Sequence, residues 1–330
     1  MRICTITCQN ADNHGARLQC YALVRHLQKQ GHDVKVIDYR PDYMRGPRLW
    51  YWPGTSLIEW AKLFLQIPNR IRAVRRHQCF DKFSKKYIPL TKIYNNIEEL
   101  RKDPPVVDLY IAGSDQIWNT TFPNGTDPGY YLDFGGENVR RESFAASFAT
   151  AEIVPSALEF VKENLKRFDK ITVREQSALK ILQDLGYNGT LQDDPVFLLS
   201  AEEWNEIADG AGEGEKYVLV YDFYADDEIK KEAQTIATEK GCGIFAICSK
   251  ELSYADKNFV YAGPETFVSL IKNATYVVSN SFHGTVFAMI YHVPFKVVDR
   301  PDGLNVRMHE LLERCSSSEK LSPLLSIFKT

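Results

Sequence analysis

The chain has 330 residues, more than one ordinary small domain holds and the length of two domains of about 150 residues each. Its 40 Lys and Arg against 43 Asp and Glu leave a formal net charge of -3, which argues against the basic domain or stripe of a nucleic-acid binder. The seven cysteines are scattered without a C-x-x-C pair. Cys4 and Cys8, on one expected strand, would lie about 13 Å apart, too far to bridge. An odd count without a framework favours a reducing compartment.

The opening "MRICTITCQNADNHG" turns polar too early for a signal peptide. No apolar run approaches the roughly 20 residues of a spanning helix. The expectation is a soluble, cytoplasmic protein, with contact at the inner face of a membrane left open.

"RICTITC" predicts a first strand. "NADNHGARLQCYALVRHLQKQG" then carries Leu18, Ala22, Leu23 and Leu27 at helical spacing, with Gly31 as a stop. "HDVKVIDYRP" alternates into a second strand, and such a β-α-β unit implies a parallel sheet. From about residue 45 to 90 the alternation is interrupted. This stretch holds Trp50, Trp52 and Trp60, then Arg70, Arg72, Arg75 and Arg76. It reads as a helical insertion covering the sheet edge or lidding a site. The alternative is an interfacial membrane patch over residues 49–76, with tryptophans at headgroup depth and arginines on anionic lipid.

"VVDLYIAGSDQIWN" restores the sheet, and "RRESFAASFA" reads as a further strand and turn. "AEIVPSALEFVKENLKRF" is an amphipathic helix. "DKITVREQSALKILQDLG" is a short strand followed by a helix, and "GTLQDDPVFLLS" is a strand running into a loop. After the linker-like "ADGAGEGE" a second β-α-β unit begins at "KYVLVYDFYADD", and "GPETFVSLIKNATYVVSNSFHGTVFAMIYHVPFKVV" adds helix, strand, helix and strand. The fold class is therefore α/β, with two doubly wound, Rossmann-like domains over residues 1–190 and 191–330. Ligands of such pairs lie in the cleft, at the carboxyl ends of strands.

Four polar loops follow strands: Gln9–Gly15, Gly113–Asn119, Thr172–Glu175 and Ser279–Gly284. In "SNSFHG", one of Ser279, Asn280 or Ser281 caps the next helix, whose free N–H groups favour an anion. His283 there is either an acid suited to neutral pH or a structural capping histidine. Gly284 would let a ligand approach the backbone. Arg174 can clamp a carboxylate or phosphate, or else it pairs with Glu175 or Asp169. Asp115, Gln116 and Asn119 suit sugar hydroxyls, or else form an Asx-type turn. Asn13 and Gly15 open the first helix without a dinucleotide fingerprint. There is no nucleophile elbow, P-loop, H-E-x-x-H or metal spacing.

At these loops the chain resembles the polysaccharide pyruvyltransferases. "NHGARLQCYAL" is similar to that family's N-x-G-A-x-L-Q-x-Y-A-L, and "AGSDQIWN" to its G-S-D-Q-V-W-N. "ITVREQSALKIL" with "DDPVFLL" and "SNSFHGTVFAMIYHVPF" are similar to its V-R-E, D-P-x-F-L-L and S-F-H-G-T blocks. These blocks run in order over about residues 10 to 307; singly, only the second and last are specific. The resemblance implies a GT-B-like arrangement, with the first domain on the acceptor side and the second on the donor side. It implies transfer from phosphoenolpyruvate onto two hydroxyls of a glycan or lipid-linked sugar, forming a pyruvate ketal and releasing phosphate, with no other cofactor. His283 matches the family acid and Arg174 a donor-holding arginine. Ser281, Phe282, Gly284 and Arg307 would complete the donor site, and Asn13, Gly15, Asp115, Gln116 and Asn119 the acceptor side. Many relatives carry arginine two residues before the histidine, where this chain has Ser281. Arg307 is the candidate replacement; otherwise the donor is held differently or is another compound. A nucleotide-sugar glycosyltransferase and a non-catalytic glycan-binding protein are the alternatives.

Overall fold

A computed structural model describes residues 1–47, 49, 57–303 and 305–317. Trp50 and Trp52 lie outside the described residues. Two five-stranded parallel sheets carry the molecule. The first contains β1 (Arg2–Ile6), β2 (Asp33–Tyr39), β3 (Leu90–Tyr94), β4 (Leu109–Ala112) and β5 (Arg140–Ser143), in the order β3-β2-β1-β4-β5. Two short strands, β6 (Thr172–Val173) and β7 (Thr190–Leu191), pair beside it, and an Ala146–Val173 bridge links them to the chain after β5. The second sheet contains β8 (Tyr217–Tyr221), β9 (Gly243–Ile247), β10 (Lys257–Phe259), β11 (Tyr276–Ser279) and β12 (Phe295–Val297), in the order β10-β9-β8-β11-β12. Both orders are the same topology, and the strand order reverses beside β1 in one sheet and beside β8 in the other. Ligands of doubly wound sheets bind at such switch points.

Why these segments are strands is plain in their composition. "YVLVY" and "LYIA" are buried at every residue, as expected for parallel strands covered on both faces. The helices are α1 (His14–Lys29), α2 (Leu57–Tyr87), α3 (Ile97–Lys102), α4 (Leu158–Leu165), α5 (Gln176–Asp184), α6 (Ala201–Asn205), α7 (Asp227–Lys240), α8 (Pro264–Lys272), α9 (Phe282–Ile290) and α10 (Val306–Ser317).

Helix α1 begins where the Asn13 side chain accepts a hydrogen bond from Ala16 N at 3.2 Å. It is buried almost all round from His14 to Val24, because both halves of the protein pack on it. One apolar cluster runs from Ile3 and Val36 of the first sheet through Leu18 and Leu23 to Trp204, Leu219, Phe267 and Phe287. His14 fastens this junction. Its Nε2 lies 3.0 Å from the Ala262 carbonyl and so carries the proton; its Nδ1 accepts from the Tyr221 hydroxyl at 2.9 Å. Burial pushes its pKa down to about 3, so the ring is neutral.

The insertion resolves into α2, which has Pro68 inside it and packs against α1 and α8. The edge strand beside β2, Leu90–Tyr94, follows it. Among the described residues no helix is long and apolar enough to cross a membrane.

Candidate active site

Three of the four loops flank the two switch points. Gln9–Gly15 follows β1, Gly113–Asn119 follows β4 and Ser279–Gly284 follows β11. Arg174 and Glu175 follow β6. The chain thus brings Gly15 and His283, 268 residues apart in sequence, into contact.

Ser281 is the N-cap of α9, accepting from Gly284 N at 3.3 Å. The cap aims the first turn, with Phe282 and His283, at the junction between the sheets. The His283 side chain is buried. Its Nε2 lies 3.4 Å from Asp194 Oδ2 and has no hydrogen-bond partner within the protein. The other edge of the ring rests on the backbone at Gly15, where a Cβ would come within 1.9 Å of His283 Nδ1. Gly15 therefore seats His283. Gly15→Ala is expected to push the ring aside by an ångström or more. Loss of about 10²-fold in activity, with an unchanged circular-dichroism spectrum, is the expected result; an unchanged activity would show that the ring position is immaterial.

Arg174 has a side chain 3% exposed, and its ion pair with Asp194 is close. Its second contact is with Asp115 Oδ1 at 3.4 Å. The expected alternative partners, Glu175 and Asp169, are not used. Glu175 Oε1 instead accepts from Ser147 Oγ, Phe148 N and Ala149 N. Arg307, at the start of α10, lies 3.8 Å from the same Asp115 oxygen. Both guanidiniums lie over the Phe282 ring, Arg174 at 4.8 Å and Arg307 at 5.5 Å from its centre. Helix α10 reaches this place because Glu310 accepts from Gln176 N and Ser177 N, at 2.6 and 3.2 Å. A carboxylate there also complements the positive end of α5.

The electrostatics follow from burial. Burial alone would raise the Asp194 carboxyl, but Arg174 and then His283 hold it well below the usual carboxylate range. Burial lowers Arg307 to about 10, with the Arg174 charge adding to the effect. Arg174 stays fully charged: burial opposes its charge, but Asp194 and Asp115 more than offset that and raise its pKa. Arg174, Glu175, Asp194, Phe282, Arg307 and Glu310 enclose a cavity of about 20 Å³, room for a single water. Among the described residues no group of three or more His, Cys, Asp or Glu side chains could hold a metal ion.

The expected acceptor residues divide. Asp115 faces the arginines, with its backbone in the left-handed region at φ 73°, which Asp tolerates better than most residues. Asn119 is fully buried; its amide donates to Gln116 Oε1, and its carbonyl oxygen accepts from Thr121 N and Oγ1. It shapes the loop from a buried position, with Thr121 N closing an Asx-type turn on its carbonyl oxygen. Gln116 holds that loop from the other side, and the Asn13 carbonyl oxygen caps α1. Gly284 also departs from expectation. A Cβ there would meet Ser279 Oγ at 2.9 Å and the Tyr221 ring at 3.1 Å, so its space is filled by protein, not ligand. Asp194 was not expected at the site. Its signal was the "DDP" motif, whose second Asp caps the following turn through Val196 N.

A family model described as polysaccharide pyruvyl transferase matches residues 13–302. No curated protein matches the chain. Among solved structures, the chain is similar to a candidate UDP-N-acetylglucosamine 2-epimerase from Listeria monocytogenes. That likeness has 9% identity over 96% of this chain and 87% of that one, with a TM-score of 0.53. A UDP-N-acetylglucosamine 2-epimerase from Rickettsia bellii is 12% identical over 92% and 82% of the two chains, with a TM-score of 0.46. The first likeness shows a shared GT-B-like fold, and nothing of the chemistry.

Proposed function

The chain belongs to the polysaccharide pyruvyl transferase family, and on that premise we propose that it transfers the pyruvyl group of phosphoenolpyruvate to two hydroxyls of one sugar in a glycan or its lipid-linked precursor. The observation that carries this reading is His283, buried, with an Nε2 that makes no hydrogen bond within the protein and lies 3.4 Å from Asp194, the carboxylate that Arg174 pairs with.

The chemistry needs an acid at carbon. His283 gives a proton to the methylene carbon of the enol, and positive charge develops on the neighbouring carbon. A sugar hydroxyl forms a bond there and releases its proton. Phosphate leaves with the electron pair of its C–O bond, and the second hydroxyl closes the ketal as its proton passes to the deprotonated His283, restoring the acid. Asp115 is the group placed to take a hydroxyl proton. Its contacts with Arg174 and Arg307, at 3.4 and 3.8 Å, are long for an ion pair. The donor's carboxylate or phosphate takes over those guanidiniums, and the closed cavity opens as it does so. In this reading Arg307 supplies the cation that Ser281 does not.

Calorimetric titration with phosphoenolpyruvate, with a nucleotide sugar as control, tests the reading. Wild-type protein is expected to bind phosphoenolpyruvate. Arg307→Ala is expected to bind it roughly 10- to 100-fold more weakly, the worth of one charge-assisted hydrogen bond. Unchanged affinity in Arg307→Ala would remove that residue from the donor site. Binding of the nucleotide sugar alone would replace the reading with glycosyl transfer.

A further inference from the structure

A second cleft, of about 310 Å³, opens between the second half of α2 and the loops after β1 and β9. That volume is at the lower end of small-ligand sites. Arg72, Arg76 and Lys250 line it, with Asp12 and Tyr261. Asp12, the one carboxylate in the lining, is taken up by His77, whose Nδ1 lies 2.5 Å from Asp12 Oδ1. No ion pair among the described residues uses Arg72, Arg76 or Lys250, unlike Arg174 and Arg307, which face carboxylates. Three uncompensated cations in one concave space repel each other and focus a positive potential on whatever enters.

The cleft adjoins the site described above. Asp12 lies three residues before Gly15, the seat of His283. The Arg76 charge acts on both His14 and Tyr221, and Tyr221 packs behind Gly284. Its outer wall is amphiphilic. Ile58, Leu65, Arg72 and Arg76 recur at i, i+7, i+14 and i+18 on α2, one stripe of a helix. Ile58 and Leu65 are 68% and 81% exposed, and Phe64 and Ile71 extend the apolar end. An exposed apolar helix end leading into arginines suits a bilayer surface, with the apolar side chains among acyl chains and the cations at phosphate depth.

We propose that this cleft binds the diphosphate of a lipid-carried sugar acceptor, with the first turns of α2 in the membrane surface and the sugar projecting toward His283. The proposal rests on the reading of the chain as a transferase acting on a sugar.

Co-sedimentation of the full chain with phosphatidylcholine vesicles, with and without a long-chain prenyl diphosphate, tests it. Wild-type protein is expected to sediment only with the diphosphate vesicles, and inorganic pyrophosphate is expected to displace it. Arg72→Gln with Arg76→Gln is expected to weaken binding by about tenfold or more, and Leu65→Glu to abolish sedimentation while leaving pyrophosphate binding intact. These are exposed or half-exposed positions, so folding is not at stake. Equal sedimentation of wild type and the arginine variant would overturn the proposal, as would binding of uridine diphosphate without any vesicle binding. Phosphoenolpyruvate titration of the same proteins separates the two readings: its failure in wild type would sink the pyruvyl donor and leave the vesicle result standing.

Discussion

His283→Gln is expected to cut product formation by about 10²- to 10⁴-fold, the usual contribution of a positioned general acid. Glutamine nearly fills the imidazole's space and keeps a donor near Asp194, but it cannot release a proton to carbon. The pocket around it should survive. Affinity for phosphoenolpyruvate is therefore expected to stay within a few-fold of wild type, because the guanidiniums of Arg174 and Arg307 remain. Phosphate release in a single turnover is the measurement. A variant with wild-type single-turnover rate would remove His283 from the chemistry and leave it the capping role of the competing reading. Loss of donor binding together with rate would place it in binding instead.

Arg174→Ala has the largest expected effect on stability. Asp194 has no exposed side-chain surface, and Arg174 is its closest cation. Removing that cation strands a buried carboxylate, which costs on the order of 3–5 kcal/mol. The loss depends on pH in a definite sense. The folded Asp194 titrates well below the usual carboxylate value, so the pair's stabilisation is complete above that value and is lost as pH falls below it. In Arg174→Ala the group no longer titrates so low, and this acid-side loss should shrink or reverse. Denaturant unfolding at neutral and acid pH would show it. The double variant Arg174→Ala with Asp194→Asn separates structure from function. It is expected to recover much of the stability, since the stranded charge is gone, and to recover none of the donor affinity. Recovery of both would make Arg174 a purely structural partner of Asp194.

The loop after β11 shows what is readable in sequence and what is not. "VVSNSFHG" gives a strand, a cap and a helix start from residue types alone, and Ser281 is indeed the cap. Its partner side chains are a different matter. Asp194 lies 89 residues earlier, Gly15 a further 179 residues back, and neither spacing carries a signal. Arg174 was recognisable as a cation past a short strand, yet its carboxylates are Asp194 and Asp115 rather than the adjacent Glu175. The reason is geometric: neighbours along an extended chain point to opposite faces, and Glu175 is drawn to the amides of Phe148 and Ala149. Asn119 reads as a sugar ligand by type, but it is buried and its amide is bonded within its own loop.

Local patterning determined the elements by itself: apolar runs made the buried parallel strands, 3.6-residue periodicity made α1, and Asn13 and Ser281 marked helix starts. The repeated β-α-β units determined the fold class, and the four ordered motifs the family. Tertiary structure alone decided which loops meet. Strand order places β1 beside β4 and β8 beside β11, and α1, buried between both halves, brings the two switch points together. Because contacts across a sheet depend on strand order and not on distance along the chain, Gly15, Asp115, Arg174, Asp194, His283 and Arg307 become neighbours only when the chain folds.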